Sequence, residues 1–201
     1  MNTEQFLLDL SSSDPVPGGG GVSALVAALS SALCSMVGNL TSGKKKYAEY
    51  QADIERIIAQ ACIRRESLYA FIEKDAEAFE PLSKAYSIPK DDPKRDEILE
   101  KALKDAAQTP LDLMKEIVFL VPMLEELSVK GSKLAVSDVA VAATLARAAI
   151  EGAVMNVYIN TKMMKDRAVA DEMNKEADEM LDDTVMRCQK VYHSVMLELK
   201  A

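Results

Sequence analysis

The sequence predicts an all-α fold, a bundle of long helices, and three observations lead there. Alanine, leucine and methionine are abundant while aromatics make up only 5% and Trp is absent. Such residues lose little rotamer freedom in a helix. Apolar positions recur at steps of three and four, the period of one helix face. No sustained alternation and no Asn-Gly or Asp-Gly turn marks a strand or hairpin. With 49% hydrophobic residues in 201, the chain has enough for one core, read as a single helical domain over residues 1–201.

A short helix is expected over residues 3–10. A serine run and the segment Pro15-Val16-Pro17-Gly18-Gly19-Gly20-Gly21 follow. Residues 22–41 read VSALVAALSSALCSMVGNLT, without a charge. This run is long enough to test as a membrane span. Its serines, Asn39 and many alanines favour instead a central bundle helix from about residue 20 to 41, packed on several sides. Lys44, Lys45 and Lys46 mark the next loop. A long helix then covers 47–79 or beyond, with the stripe Ile54, Ile58, Ala61, Arg65, Leu68, Ile72, Asp75, Phe79. Asp92 and Pro93 suit a cap and first helical residue. The stretch 93–130 follows, where Pro110 and Pro122 should each kink or split the helix. Gly131 is a plausible cap. Ser137 opens a fifth helix through about residue 164, and the last spans roughly 166–199.

Composition excludes several classes. A net charge of −8 and a pI of about 4.8 argue against nucleic acid and against an anionic membrane surface. Cys34, Cys62 and Cys188 are odd in number and in no metal pattern, and read as reduced core residues of a cytoplasmic protein. With one histidine, His193, and no Glu-x-x-His pair, a di-iron bundle is excluded. The start MNTEQFLLDL has no basic n-region of a signal peptide.

The glycine segment admits two readings. Four glycines let two helices cross closely, or they bring bare backbone and a helix N-terminus to an anion or a polar planar group. A nucleotide P-loop fails because no Lys-Ser or Lys-Thr follows. A dinucleotide fingerprint fails at Ser23.

Polar residues on inward stripes are the other signals. Asp75 and Arg65 occupy positions that the spacing assigns to the core. A buried carboxylate there is either part of a structural ion pair or a group of shifted pKa. Ser137 and Asp138 read as helix caps or as site residues. Asn156 and Asn160 share a face, and pair helices or recognise a heterocycle. Lys44–Lys46 form a solvated turn or neutralise carboxylates.

Taken together, PVPGGGGVSALVAALSSALCSMVGNLT, GKKKY at 43–47, DAEAF at 75–79 and SDVAVAATLARAAIEGAVMNVYIN at 137–160 resemble the cyclodeaminase/cyclohydrolase family. This family comprises the C-terminal domain of formiminotransferase-cyclodeaminase and free-standing bacterial methenyltetrahydrofolate cyclohydrolases. The resemblance implies a helical homodimer, a tetrahydrofolate one-carbon substrate, possibly polyglutamylated, no bound cofactor and no metal. It implies Asp75 as the catalytic residue. Gly18, Gly19, Gly20, Lys44, Lys45, Lys46, Arg65, Ser137, Asp138, Asn156 and Asn160 would line the folate site. Gly21 and Pro81 depart from the expected pattern.

In cyclodeamination, N10 of 5-formiminotetrahydrofolate attacks the formimino carbon and ammonia leaves, giving 5,10-methenyltetrahydrofolate. One carboxyl group near both nitrogens acts as base and then as acid. This is the expected activity. The alternative is cyclohydrolysis, in which water adds to the methenyl carbon and the ring opens to 10-formyltetrahydrofolate. A second alternative is an inactive folate-binding or dimerisation module. Burial should raise the pKa of Asp75, and a neighbouring Arg65 would lower it.

Overall fold

A computed structural model describes residues 2–201. It contains seven α-helices and no strand among the described residues: α1 (Thr3–Leu10), α2 (Gly19–Thr41), α3 (Gln51–Tyr86), α4 (Arg95–Val118), α5 (Leu120–Lys130), α6 (Val136–Thr161) and α7 (Arg167–Lys200). Short 3₁₀ turns at Lys45–Tyr50 and Lys133–Ala135 precede α3 and α6. The all-α expectation holds.

The apolar helix α2 lies between α3 and α6, and its serines explain how. Ser31 donates its hydroxyl to the Ala61 carbonyl of α3, and Ser30 to the Ala142 carbonyl of α6, each at 2.8 Å. Both are fully buried. Such bonds contribute about 0.5–1.5 kcal/mol each, and more is lost if one partner is removed. Small residues let the backbones approach: Ala24, Ala27 and Cys34 on α2, and Ala142, Ala146, Ala149 and Ala153 on α6, are buried. Bulk comes from α4 and α5, where Leu103, Leu111, Met114, Ile117, Leu120, Leu124 and Leu127 are buried. One core cluster runs through α2 to α7.

Of the breaks expected at Pro110 and Pro122, only the second occurs. The helix runs straight through Pro110, which is buried in α4. The interruption falls at Phe119, just before Pro122. Pro122 has no N–H for the Val118 carbonyl and its ring crowds that group, so the hydrogen-bond ladder restarts there. Pro81 likewise sits inside α3, which continues to Tyr86 because Leu82 and Ala85 beyond it are buried.

Arg65 does not face inward. It is exposed, 3.6 Å from Glu66. The inward arginine is Arg64, which pairs with Glu116 of α4 at 2.7 Å and lies over the Phe119 ring. The four-three stepping between Ala61 and Leu68 fits either position, and packing against α4 selects the first. Cys34 and Cys188 are buried, and burial pushes both thiols up to about 12. Cys62 is only half-buried, so it is not a core residue.

Candidate active site

Helix α2 begins on glycine, so no side chain of its own caps it. The cap comes from α3: the Gly21 N–H donates to Asp75 Oδ2 at 3.0 Å. Asp75 therefore sits at the positive end of α2, where a carboxylate is favoured. Gly20 makes this approach feasible, because a Cβ there would overlap Asp75 Oδ1. At Gly21 a Cβ would meet only ordinary contacts with Pro17, Ile72 and Asp75. Oδ1 has no hydrogen-bond partner among the described residues. Burial raises the pKa of Asp75, and the Gly21 N–H pulls the other way without cancelling it.

Asp75 lines a cavity of about 380 Å³ between the glycine loop, α3 and the C-terminal half of α6. Its walls include Gly18, Gly19, Gly20, Phe79, Leu82, Tyr86, Asn156, Ile159, Asn160 and Met163. That volume suits a drug-sized organic ligand. Phe79 and Tyr86 add aromatic side chains to the lining.

The two asparagines are oriented by backbone carbonyls. Asn156 Nδ2 donates to the Gly152 carbonyl at 3.0 Å. Asn160 Nδ2 donates to the Asn156 carbonyl at 2.8 Å and to the Ala106 carbonyl at 3.3 Å. The Ala106 carbonyl is free for this because Pro110, four residues on, has no N–H to give it. With the donors of Asn160 committed, its Oδ1 is left as an acceptor. A ligand edge carrying N–H groups is the complement.

Gly18, Gly19, Gly20, Asp75, Asn156 and Asn160 thus converge on one cavity. Lys44, Lys45 and Lys46 do not join them within this chain. They follow the C-terminus of α2, on the order of 30 Å from its first turn at 1.5 Å per residue. Lys44 Nζ lies 3.3 Å from Ser132 Oγ, at the entry to α6. Ser137 and Asp138 start α6 and lie roughly 28 Å along it from Asn156. Arg65 is about 15 Å along α3 from Asp75 and does not lower its pKa. Sequence reasoning missed Tyr86 and Ala106. Tyr86 is seven residues beyond Phe79 on the same face. Ala106 was traceable from the rule that an internal proline frees the carbonyl four residues earlier.

Among the described residues, no three His, Cys, Asp or Glu side chains gather in a metal-binding group. A second cavity of about 480 Å³ lies beyond Val16 and Pro17, beside α1, and carries Asp9 and Glu73.

Known proteins resemble this chain over most of its length. The formiminotransferase-cyclodeaminase family model matches residues 2–179. A methenyltetrahydrofolate cyclohydrolase of Methylorubrum extorquens is 38% identical over 96% of this chain and 94% of its own length. The formimidoyltransferase-cyclodeaminase of Sus scrofa is 33% identical over 89% of this chain, which spans only 34% of that protein. The crystal structure of formiminotetrahydrofolate cyclodeaminase from Thermotoga maritima superposes with a TM-score of 0.86 at 31% identity, covering 98% of each chain.

Proposed function

The chain belongs to the formiminotransferase-cyclodeaminase family, and from that premise we propose that this folate one-carbon enzyme is a 5,10-methenyltetrahydrofolate cyclohydrolase acting as a homodimer. The observation that carries the chemistry is the Asp75 carboxyl, with one oxygen held by Gly21 N–H and the other free at the cavity. The choice of water addition rests on the Methylorubrum relative, which matches this chain nearly end to end. It reverses the sequence-based preference for ammonia release.

In this reading Asp75 Oδ1 takes a proton as water adds to the methenyl carbon. The protonated carboxyl then gives that proton to N5 as the C–N5 bond breaks. The carbinol hydroxyl loses its proton, leaving the 10-formyl product and one proton released overall. A carboxyl whose pKa is raised by burial serves both steps better than an ordinary one. The Asn160 oxygen would accept from an N–H edge of the pterin, with Phe79 and Tyr86 against its faces.

Cyclodeamination is the second reading, favoured by the Thermotoga fold match over 98% of both chains. The same carboxyl would take the N10 proton and protonate the departing amine. Parallel assays decide: loss of methenyl absorbance above the spontaneous rate, and ammonia release from formiminotetrahydrofolate. Turnover of the methenyl substrate alone supports the proposal. Turnover of the formimino substrate alone replaces it with the second reading, and turnover of neither removes both.

A further inference from the structure

Two walls of the cavity come from different helices, the glycine turn of α2 and the asparagine face of α6. One contact joins these helices behind the cavity. A Cβ on Gly152 of α6 would fall 2.5 Å from Ser23 Oγ of α2, so α6 passes this serine with main chain only. Ser23 is buried, and neither residue lines the cavity. The hydroxyls of Ser30 and Ser31 bond neighbouring helices. That of Ser23 donates instead to the Gly19 carbonyl of its own helix, at 2.8 Å.

Both members of this contact lead to the site. Gly19 opens the first turn of α2, the turn whose Gly21 N–H donates to Asp75. A serine bonded to the carbonyl four residues back bends the turn it sits on, and with it the direction of that N–H. On α6, the Gly152 carbonyl accepts from Asn156 Nδ2 at 3.0 Å. The circuit closes where Gly19 meets Asn156, since a Cβ on Gly19 would lie 3.5 Å from Nδ2. Folding does not require the hydroxyl. The helical pattern already gives the Gly19 carbonyl the N–H of residue 23. Removing the hydroxyl therefore orphans no buried group, and alanine is the better helix former.

We propose that Ser23, seated by Gly152, is a positioning residue: it holds the first turn of α2 so that the Gly21 N–H, and through it the Asp75 carboxyl, stays in register with Asn156. The contact touches no substrate. Its bearing on turnover rests on the proposed folate activity; its hold on the Asp75 carboxyl does not. The direction of the effect follows from the cause. Burial raises the pKa of Asp75, and the Gly21 N–H draws it back down. A loosened turn weakens that bond, so the carboxyl should titrate at higher pH. Around the cavity, α2, α4 and α6 present no ionisable side chain among the described residues, and α3 adds only Tyr86.

The test is a double-mutant cycle. Ser23→Ala removes the hydroxyl, and Gly152→Ala drives it off Gly19. Each should lower kcat on the order of tenfold, a part of what an ångström of misplacement brings. Because both break one link, Ser23→Ala/Gly152→Ala should lose no more than Ser23→Ala alone. Its new Cβ meets nothing closer than 3.6 Å once the hydroxyl is gone. The acid limb of kcat/KM should move to higher pH in all three variants, while the melting temperature of Ser23→Ala stays level or rises. Losses that multiply to about a hundredfold in the double variant overturn the inference. So does an acid limb that stays put while the melting temperature falls. If Gly152→Ala does not fold, adding Ser23→Ala must restore folding, and failure to do so overturns the contact. The link is also read without turnover, by NMR titration of isotope-labelled carboxyl groups. The Asp75 signal is the one absent from Asp75→Asn. A raised Asp75 midpoint in Ser23→Ala supports the proposal even where the wild type turns over neither folate, the outcome that removes the enzyme reading. A midpoint equal to that of the wild type overturns the proposal and leaves the enzyme reading standing.

Discussion

At the scale of single residues, Asp75 does two jobs. It closes the open end of α2 and supplies the free carboxyl oxygen of the cavity. Asp75→Asn keeps an acceptor for Gly21 N–H, so the fold should persist while turnover falls on the order of 100-fold or more. The linkage has a definite sign. The folded pKa is raised, so the folded chain binds its proton more tightly than the unfolded one. Stability therefore declines as pH rises from about 4 through the folded pKa. Thermal melts should find Asp75→Asn relatively more stable at neutral pH, with the difference vanishing in acid. Correspondingly, the acid limb of kcat/KM should lie above the ordinary carboxylate range and disappear with the carboxyl. Gly20→Ala forces a Cβ against Oδ1 and should cost roughly 100-fold in kcat, the scale of an ångström of misplacement. Gly21→Ala, where there is room, should change kcat little. Asp75 was legible in the sequence because a carboxylate interrupted an apolar stripe. Arg65 was misread by the same method, because a helix face read by spacing is ambiguous by one residue until its neighbour is known.

At the scale of elements, the prolines show how a local rule acts at a distance. Pro110 leaves α4 unbroken, yet it releases the Ala106 carbonyl that holds Asn160. Pro110→Ala would return an N–H to that carbonyl and loosen the asparagine. Steady-state kinetics should show KM raised several-fold with kcat nearly kept, while the melting temperature stays level or rises. Equal losses in both kinetic constants, or a large loss of stability, would point to a packing role alone. The helices themselves were legible from periodicity, but α4 starts at Arg95 rather than Pro93 and α6 at Val136, neither with the side-chain cap expected of Asp92 or Ser137. At α7 the structure adds a cap the periodicity did not name: Asp166 accepts from Val169 N–H at 3.2 Å. The break beside Pro122 was legible too, but the continuity of α4 through Pro110 was not, because which proline a helix tolerates depends on the burial around it. Burial is a tertiary property.

At the scale of the whole molecule, the residues read together as one site separate into two groups at opposite ends of α2 and α6. Sequence order cannot reveal this, since a helix of 23 residues carries its termini apart by its own length. The continuous core from α2 to α7 predicts a single cooperative unfolding transition. If the chains pair as proposed, its midpoint should rise with protein concentration. Calorimetry over a hundredfold dilution series checks both, and two resolved transitions would show that the helices do not unfold as a unit.

The order in which α2 meets its neighbours has a consequence for how the protein is made. Ser30 waits for the carbonyl of Ala142, 112 residues later in the chain. At a synthesis rate of about 5–20 residues per second, that is on the order of ten seconds. Throughout that interval a helix without a single charge stands with its α6 side uncovered. Translation speed across α3 to α5, and holdase chaperones acting on the nascent chain, should therefore govern the yield of soluble protein more than its final stability does.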